Sequence, residues 1–111
     1  MPTFEQGDVV RVPFPYTDRT TRQRRPALVI SSREIGDRGS LVWVLMITSA
    51  DNRAWPADVA FGPTYADAGL PAPSVVRTAK IATIEASAAE RIGRVDPQML
   101  SRIRDTVAGW I

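Results

Sequence analysis

The chain has no cysteine and no histidine, a single lysine, and no apolar run long enough to cross a bilayer. Without cysteine there are no disulfides, no thiolate metal sites and no thiol nucleophile. Without histidine both the commonest metal ligand and the commonest general base are missing, so any catalysis must use other groups. A spanning helix needs about 20 consecutive apolar residues, and no run here comes near that. The first residues, Met1-Pro2-Thr3-Phe4-Glu5, lack the basic and apolar regions of a signal peptide. The expectation is a cytoplasmic protein with no membrane association.

What is present is ordinary globular composition: 111 residues, 44% hydrophobic and 23% charged, which suits one domain with one modest core. The formal charge is only +2, yet of the 14 basic residues all but Lys80 are arginine. Arginine offers a planar fork that grips phosphate bidentately and stacks on bases, so the bias fits an anion-binding surface. A GC-rich genome, whose codons favour arginine, alanine and proline, would produce the same bias.

Residues Gly7 to Phe14 alternate and are rich in valine before Pro13 and Pro15 stop the ladder, which predicts a first strand. Tyr16 to Arg25 is polar apart from its tyrosine and reads as an exposed loop. Two continuous apolar runs follow, Pro26 to Ser32 and Leu41 to Thr48, separated by turn formers Gly36, Asp37 and Gly39. A hairpin is the simplest connection. Asp58 to Phe61 is a short strand between irregular loops that contain Trp55-Pro56, Gly62-Pro63 and Gly69. Ser74 to Glu85 is a longer strand, bent near Ala79. Ala86 to Arg91 can form a helical turn and Arg91 to Val95 a last strand. Asp96-Pro97 then opens a helix, with Met99, Leu100, Ile103, Val107, Trp110 and Ile111 on its apolar stripe. The fold class is mainly β (α+β), a small bent antiparallel barrel or sandwich with a C-terminal α-helix, one domain over 1–111.

Two groups of residues could carry chemistry. Arg19, Arg22, Arg24 and Arg25 fall within seven positions of one loop, next to Tyr16. Crowded like charges repel unless an anion is supplied, and a phosphate backbone would supply it while the tyrosine stacks a base. A solvated loop pairing with surface carboxylates accounts for the same run. The second group sits at strand ends: Arg25, Thr48, Ser49 and Arg77. If the two apolar runs pair antiparallel, the start of one lies beside the end of the other, making Arg25 and Thr48 neighbours. A guanidinium beside a hydroxyl makes an oxyanion pocket for a phosphoryl group.

GDVV with its following valine and phenylalanine, RRPALVIS at 24–31, ITS at 47–49 and SVVRTAKIATIE at 74–85 occur in an order and spacing that resemble the MazF/PemK toxins of type II toxin–antitoxin systems. The resemblance implies an SH3-like barrel with a C-terminal helix, usually a homodimer. It implies a sequence-specific endoribonuclease that cuts single-stranded messenger RNA without metal or cofactor. The products would carry a 2′,3′-cyclic phosphate and a 5′-hydroxyl, and a cognate antitoxin would neutralise the activity. Carried over by position, the resemblance makes Arg25, Thr48 and Arg77 catalytic. The RNA contacts expected beside them are Tyr16, Arg19, Arg22 and Arg24 of the basic loop, with Ser49 and Lys80.

One departure bears on mechanism. PemK-like relatives use an aspartate two residues beyond the later arginine, and here that position is Ala79. Arginine keeps its proton at accessible pH, so the base is left unassigned, the candidates being a carboxylate such as Asp18 or Glu85, a substrate oxygen, or water. The same barrel also serves gyrase-inhibiting toxins that bind protein and end in an exposed tryptophan and isoleucine, and this chain ends Gly109-Trp110-Ile111. A non-catalytic RNA-binding relative is the other alternative.

Overall fold

The computed structural model describes residues 3–13 and 24–111. Tyr16, Asp18, Arg19 and Arg22 therefore lie outside the described residues. Six strands and one helix follow in order: β1 (Asp8–Pro13), β2 (Arg24–Val29), β3 (Leu41–Ser49), β4 (Asp58–Ala60), β5 (Ser74–Glu85), β6 (Glu90–Arg94) and α1 (Pro97–Ala108). They form one antiparallel sheet in the order β4-β5-β3-β2-β1-β6. β2 begins two residues earlier than the apolar run suggests. Arg24 pairs with Pro13 and Arg25 with Val12, so both belong to the ladder rather than to the preceding loop.

The alternation of each strand serves two cores, one on either face of the sheet. Val9, Leu28, Leu45, Ile47 and Val76 face a cluster completed by Phe61, Leu70, Met99 and Ile103. Val10, Val12, Ala27, Val29, Val42, Val44 and Met46 face a second cluster with Phe4 and Ile84. Because both faces are covered, β2 and β3 carry continuous apolar sequence instead of an alternating one.

Two register shifts bend the sheet. Between β3 and β5 the pairing passes from Met46↔Arg77 to Leu45↔Ile81, so Thr78, Ala79 and Lys80 of β5 bulge out of the ladder. A smaller shift separates Val9 from Val10 between β1 and β6.

The expected barrel is present but its hydrogen-bond ladder stays open, with β4 and β6 as its edges. Asp8, nearly fully buried, fastens β1 to the β6 edge by accepting from Arg91 Nε (3.1 Å) and Arg94 Nη1 (2.8 Å). The remaining gap is closed by the segment after β4, whose 3-10 turn (Gly62–Tyr65) leads into a backbone-to-backbone contact between Ala68-Gly69 and Ile92-Gly93. A methyl on Gly93 would stand 2.0 Å from the Ala68 carbonyl oxygen, and one on Gly69 2.1 Å from that of Ile92. Neither oxygen belongs to a side chain that can swing away. Overpacking costs about 1–3 kcal/mol where side chains yield, so Gly93→Ala is expected to cost about 3 kcal/mol. Urea unfolding should show a lower midpoint at unchanged slope; an unchanged midpoint would mean that the seam opens without cost.

The helix starts as its sequence signals, with the Asp96 carboxylate accepting from the Met99 amide (2.8 Å) and Pro97 in the first turn. Met99 and Ile103 are buried, and Leu100 and Val107 pack against the same core. Trp110 and Ile111 depart from the expected stripe. The helix ends at Ala108, and the last turn tightens through Gly109 N–H to Thr106 O and Trp110 N–H to Val107 O. This rotates both residues off the buried face, leaving Trp110 53% and Ile111 100% exposed. Among the described residues no helix is long and apolar enough to cross a membrane.

Candidate active site

Strand pairing assembles the first part of the site. In β2 and β3, Ala27 opposes Met46 and Leu28 opposes Leu45, and continuing that register outward sets Arg25 against Thr48. Both residues, half-buried, line one groove of about 270 Å³ at the strand ends. Ser49 and Asn52 add polar groups, and Pro71 and Pro73 form a rigid wall without N–H donors. No carboxylate lies among the described residues that line the groove, where a guanidinium and hydroxyls meet.

Asn52 sharpens the chemistry of Thr48. Its side-chain amide donates to Thr48 Oγ1 at 2.5 Å. With one acceptor position of the hydroxyl filled, the Thr48 proton is directed to another acceptor, which suits donation to a phosphoryl oxygen. Asn52 is held in turn by its backbone N–H donating to the Ser49 carbonyl (3.1 Å). The Ser49 hydroxyl accepts from the Asp51 amide at 3.2 Å.

Arg77 lies on the same face of the sheet, since it opposes Met46 while Thr48 opposes Val75, but it is not among the groove's lining residues. Its guanidinium is buried. Nε and Nη2 donate to the Asp58 carboxylate at 3.4 and 3.3 Å, and Nη2 donates to the Arg53 carbonyl at 2.7 Å. The indole of Trp55 covers it, with Arg77 Cζ 4.4 Å from the ring centroid. Arg77 thus holds together the loop between β3 and β4, the same loop whose Asn52 reaches Thr48. The bulge in β5 contributes as well. Thr78 Oγ1 donates to the Ala57 carbonyl (2.7 Å), and Lys80 Nζ lies 5.8 Å from the Trp55 ring. Ala79, the position at which PemK-like sequences carry aspartate, sits exposed in this bulge.

Arg24 points elsewhere: Nη2 donates to the carbonyls of Arg11 and Ala88, both at 3.2 Å. Two larger hollows, about 340 and 460 Å³, adjoin each other between Phe61–Thr64 and the start of α1. Their size is misleading as a guide to phosphate chemistry, because Asp67 and Asp96 line the first and Asp96 the second. Among the described residues no group of three or more acidic side chains converges as a metal site would require. Asn52, Asp58 and Trp55 escape sequence reading because the loop from 50 to 57 has no period to reveal which side chains turn inward. The one available signal was Trp55-Pro56 followed by Asp58, a turn preceding a strand.

A bent antiparallel sheet, sealed by a backbone seam and capped by one terminal helix, with a groove at its strand ends that brings Arg25 beside Thr48, defines a small β-domain. Solved structures share this fold. A MazE–MazF structure from Deinococcus radiodurans matches with a TM-score of 0.75 at 20% identity, covering 99% of this chain and 96% of that one. An endoribonuclease in complex with its cognate antitoxin, from a mycobacterial species, matches with a TM-score of 0.70 at 23% identity, covering 98% and 93%. The Mycobacterium tuberculosis toxin MazF-mt6 matches with a TM-score of 0.63 at 19% identity, covering 90% and 92%. No curated protein sequence matches the chain. The family model of the PemK-like, MazF-like toxins of type II toxin–antitoxin systems matches residues 5–111, nearly the whole chain, and the chain belongs to that family.

Proposed function

We propose that this toxin is a metal-independent endoribonuclease of the cytoplasm that cuts single-stranded messenger RNA by attack of a ribose 2′-hydroxyl on the adjacent phosphorus. The observation that carries this reading is that Arg25 and Thr48 line one groove, with no carboxylate among its described lining residues and with Asn52 donating to the threonine hydroxyl. In the step proposed, the 2′-oxygen bonds to phosphorus as its proton passes to water, the bond to the 5′-oxygen breaks, and that oxygen takes up a proton from water. The products are a 2′,3′-cyclic phosphate and a 5′-hydroxyl. The Arg25 fork and the Thr48 hydroxyl meet the charge growing on the non-bridging oxygens, the kind of preorganised stabilisation that supplies several kcal/mol, roughly, when water is excluded. Arg77 supports the loop that presents Asn52. As with the mycobacterial endoribonuclease and its cognate antitoxin, an antitoxin is the partner proposed here, an acidic segment lying over the basic groove of a homodimer.

An RNA with a single 2′-deoxy nucleotide at the mapped cut position tests the chemistry. It should remain intact at that position while the all-ribose strand is cut, in the presence of a chelator as in its absence. Cleavage at the deoxy position would rule out attack by the 2′-hydroxyl.

One observation favours a second reading, a toxin that acts by binding protein: the exposed pair Trp110 and Ile111. Uncut RNA together with inhibited gyrase supercoiling would select it.

A further inference from the structure

Trp55 is a large apolar ring that keeps 39% of its surface in solvent while every neighbouring group works to hold it still. The residue opens a tight turn in which Asp58 N–H donates to the Trp55 carbonyl (3.2 Å) and Trp55 N–H donates to Asp58 Oδ2 (2.9 Å). Pro56 and Ala57 occupy the middle of that turn. Ala57 lies at a φ of 70°, a left-handed conformation costly for any residue with a Cβ. The Thr78 hydroxyl holds the Ala57 carbonyl in this conformation (2.7 Å). The carboxylate that receives the Trp55 amide also pairs with Arg77, and Arg77 stacks against the indole. Turn, ion pair and ring therefore form one closed unit.

Such a mount exceeds what is needed merely to cover a buried ion pair, for which any bulky apolar side chain would serve. It fixes the orientation of a flat aromatic surface at the exterior. Two cationic side chains adjoin the ring, Arg77, paired with Asp58, at 4.4 Å and Lys80 at 5.8 Å from its centroid. The position is also directional. Arg77 is two residues along β5 from Val75, which opposes Thr48, a step of about 7 Å along the sheet. Asn52, three residues before Trp55, touches Thr48 itself. A rigid aromatic ring beside cationic side chains, on the loop whose Asn52 reaches Thr48, is an arrangement by which proteins hold an unpaired base beside a bound backbone.

We propose that Trp55 is a stacking platform for a base of single-stranded RNA, one nucleotide step from the groove of Arg25 and Thr48, with Arg77 and Asp58 as its positioning residues. This rests on the RNA reading above but on different atoms, and its test uses binding rather than cleavage.

The probes are 2′-O-methyl 10-mers of adenylate and of uridylate, which lack the attacking hydroxyl, with inorganic polyphosphate as a ligand without bases. In a Trp43→Phe, Trp110→Phe background Trp55 is the sole indole, and its fluorescence should be quenched by the oligonucleotides and not by polyphosphate. Trp55→Leu, which keeps apolar cover over Arg77 but has no aromatic surface, should weaken oligonucleotide binding about 5- to 150-fold, the range that one stacked base contributes. Trp55→Phe should recover most of that loss, and polyphosphate affinity should not change in either variant. Absent quenching, equal oligonucleotide affinity in Trp55→Leu, or an equal loss towards polyphosphate would each overturn the platform. Oligonucleotide binding that depends on Trp55, in a protein that cuts no RNA, would leave the platform standing and remove the nuclease; cutting with unchanged affinity in Trp55→Leu would do the reverse.

Discussion

Replacing Arg25 with alanine is expected to lower the rate of RNA cleavage by about 10²–10³-fold, the loss typical of removing one preorganised donor from a developing oxyanion. The fold should be retained. Arg25 is half-buried at the start of β2, where its backbone pairs with Val12, and it fills neither core. A stability change within about 0.5 kcal/mol is expected of such a position. Arg25→Lys discriminates further, because an ammonium supplies charge without the planar fork and should recover only part of the rate. The measurement is initial rate on a single mapped cut site, alongside thermal unfolding. An Arg25→Ala protein that cuts at the wild-type rate would remove Arg25 from the chemistry and leave the groove without its cation.

Arg77→Ala should act mainly on stability. Asp58 and Arg77 side chains are each only 10% exposed, so removing the guanidinium strands a carboxylate away from water, a change that costs about 3–5 kcal/mol. That is a large part of the roughly 5–15 kcal/mol by which domains are stable. The Arg53 carbonyl would lose its donor at the same time, and Trp55 the cation beneath it. Chemical denaturation should show the loss, and Arg77→Met combined with Asp58→Leu should restore much of it by removing the orphaned charge as well. An unchanged midpoint in Arg77→Ala would show that the ion pair does not hold the loop.

The surroundings of these two arginines differ in how far they could be read from the sequence. β5 runs over Ser74–Glu85 as its β-branched alternation predicts, and α1 begins at the aspartate–proline pair that signals it. The neighbourhood of Arg25 and Thr48 follows from antiparallel pairing alone, since register is fixed once both apolar runs are identified. Periodicity reports which face a residue occupies but not what waits there. The partners of Arg77, which are Asp58, the Arg53 carbonyl and Trp55, could not be read from the sequence because most of them come from a loop with no period. Asn52 was hidden for the same reason. Trp110 and Ile111 continue the helical spacing on paper, yet the tightened last turn at Gly109 breaks the phase. The bend near Ala79 was legible as a strand too long to stay straight, whereas the function of that bend, bringing Thr78 and Lys80 to the Trp55 turn, was not.

The contact of Ala68-Gly69 with Ile92-Gly93 bears on how this protein can change. Most damage to an interior can be mended from the other side: a cavity is refilled by a larger neighbour, a lost charge by deleting its mate. Here both parties are main chain, whose atoms no mutation alters, so second-site suppression has nothing to work with. Substitutions at these two glycines would have to be tolerated whole or not at all.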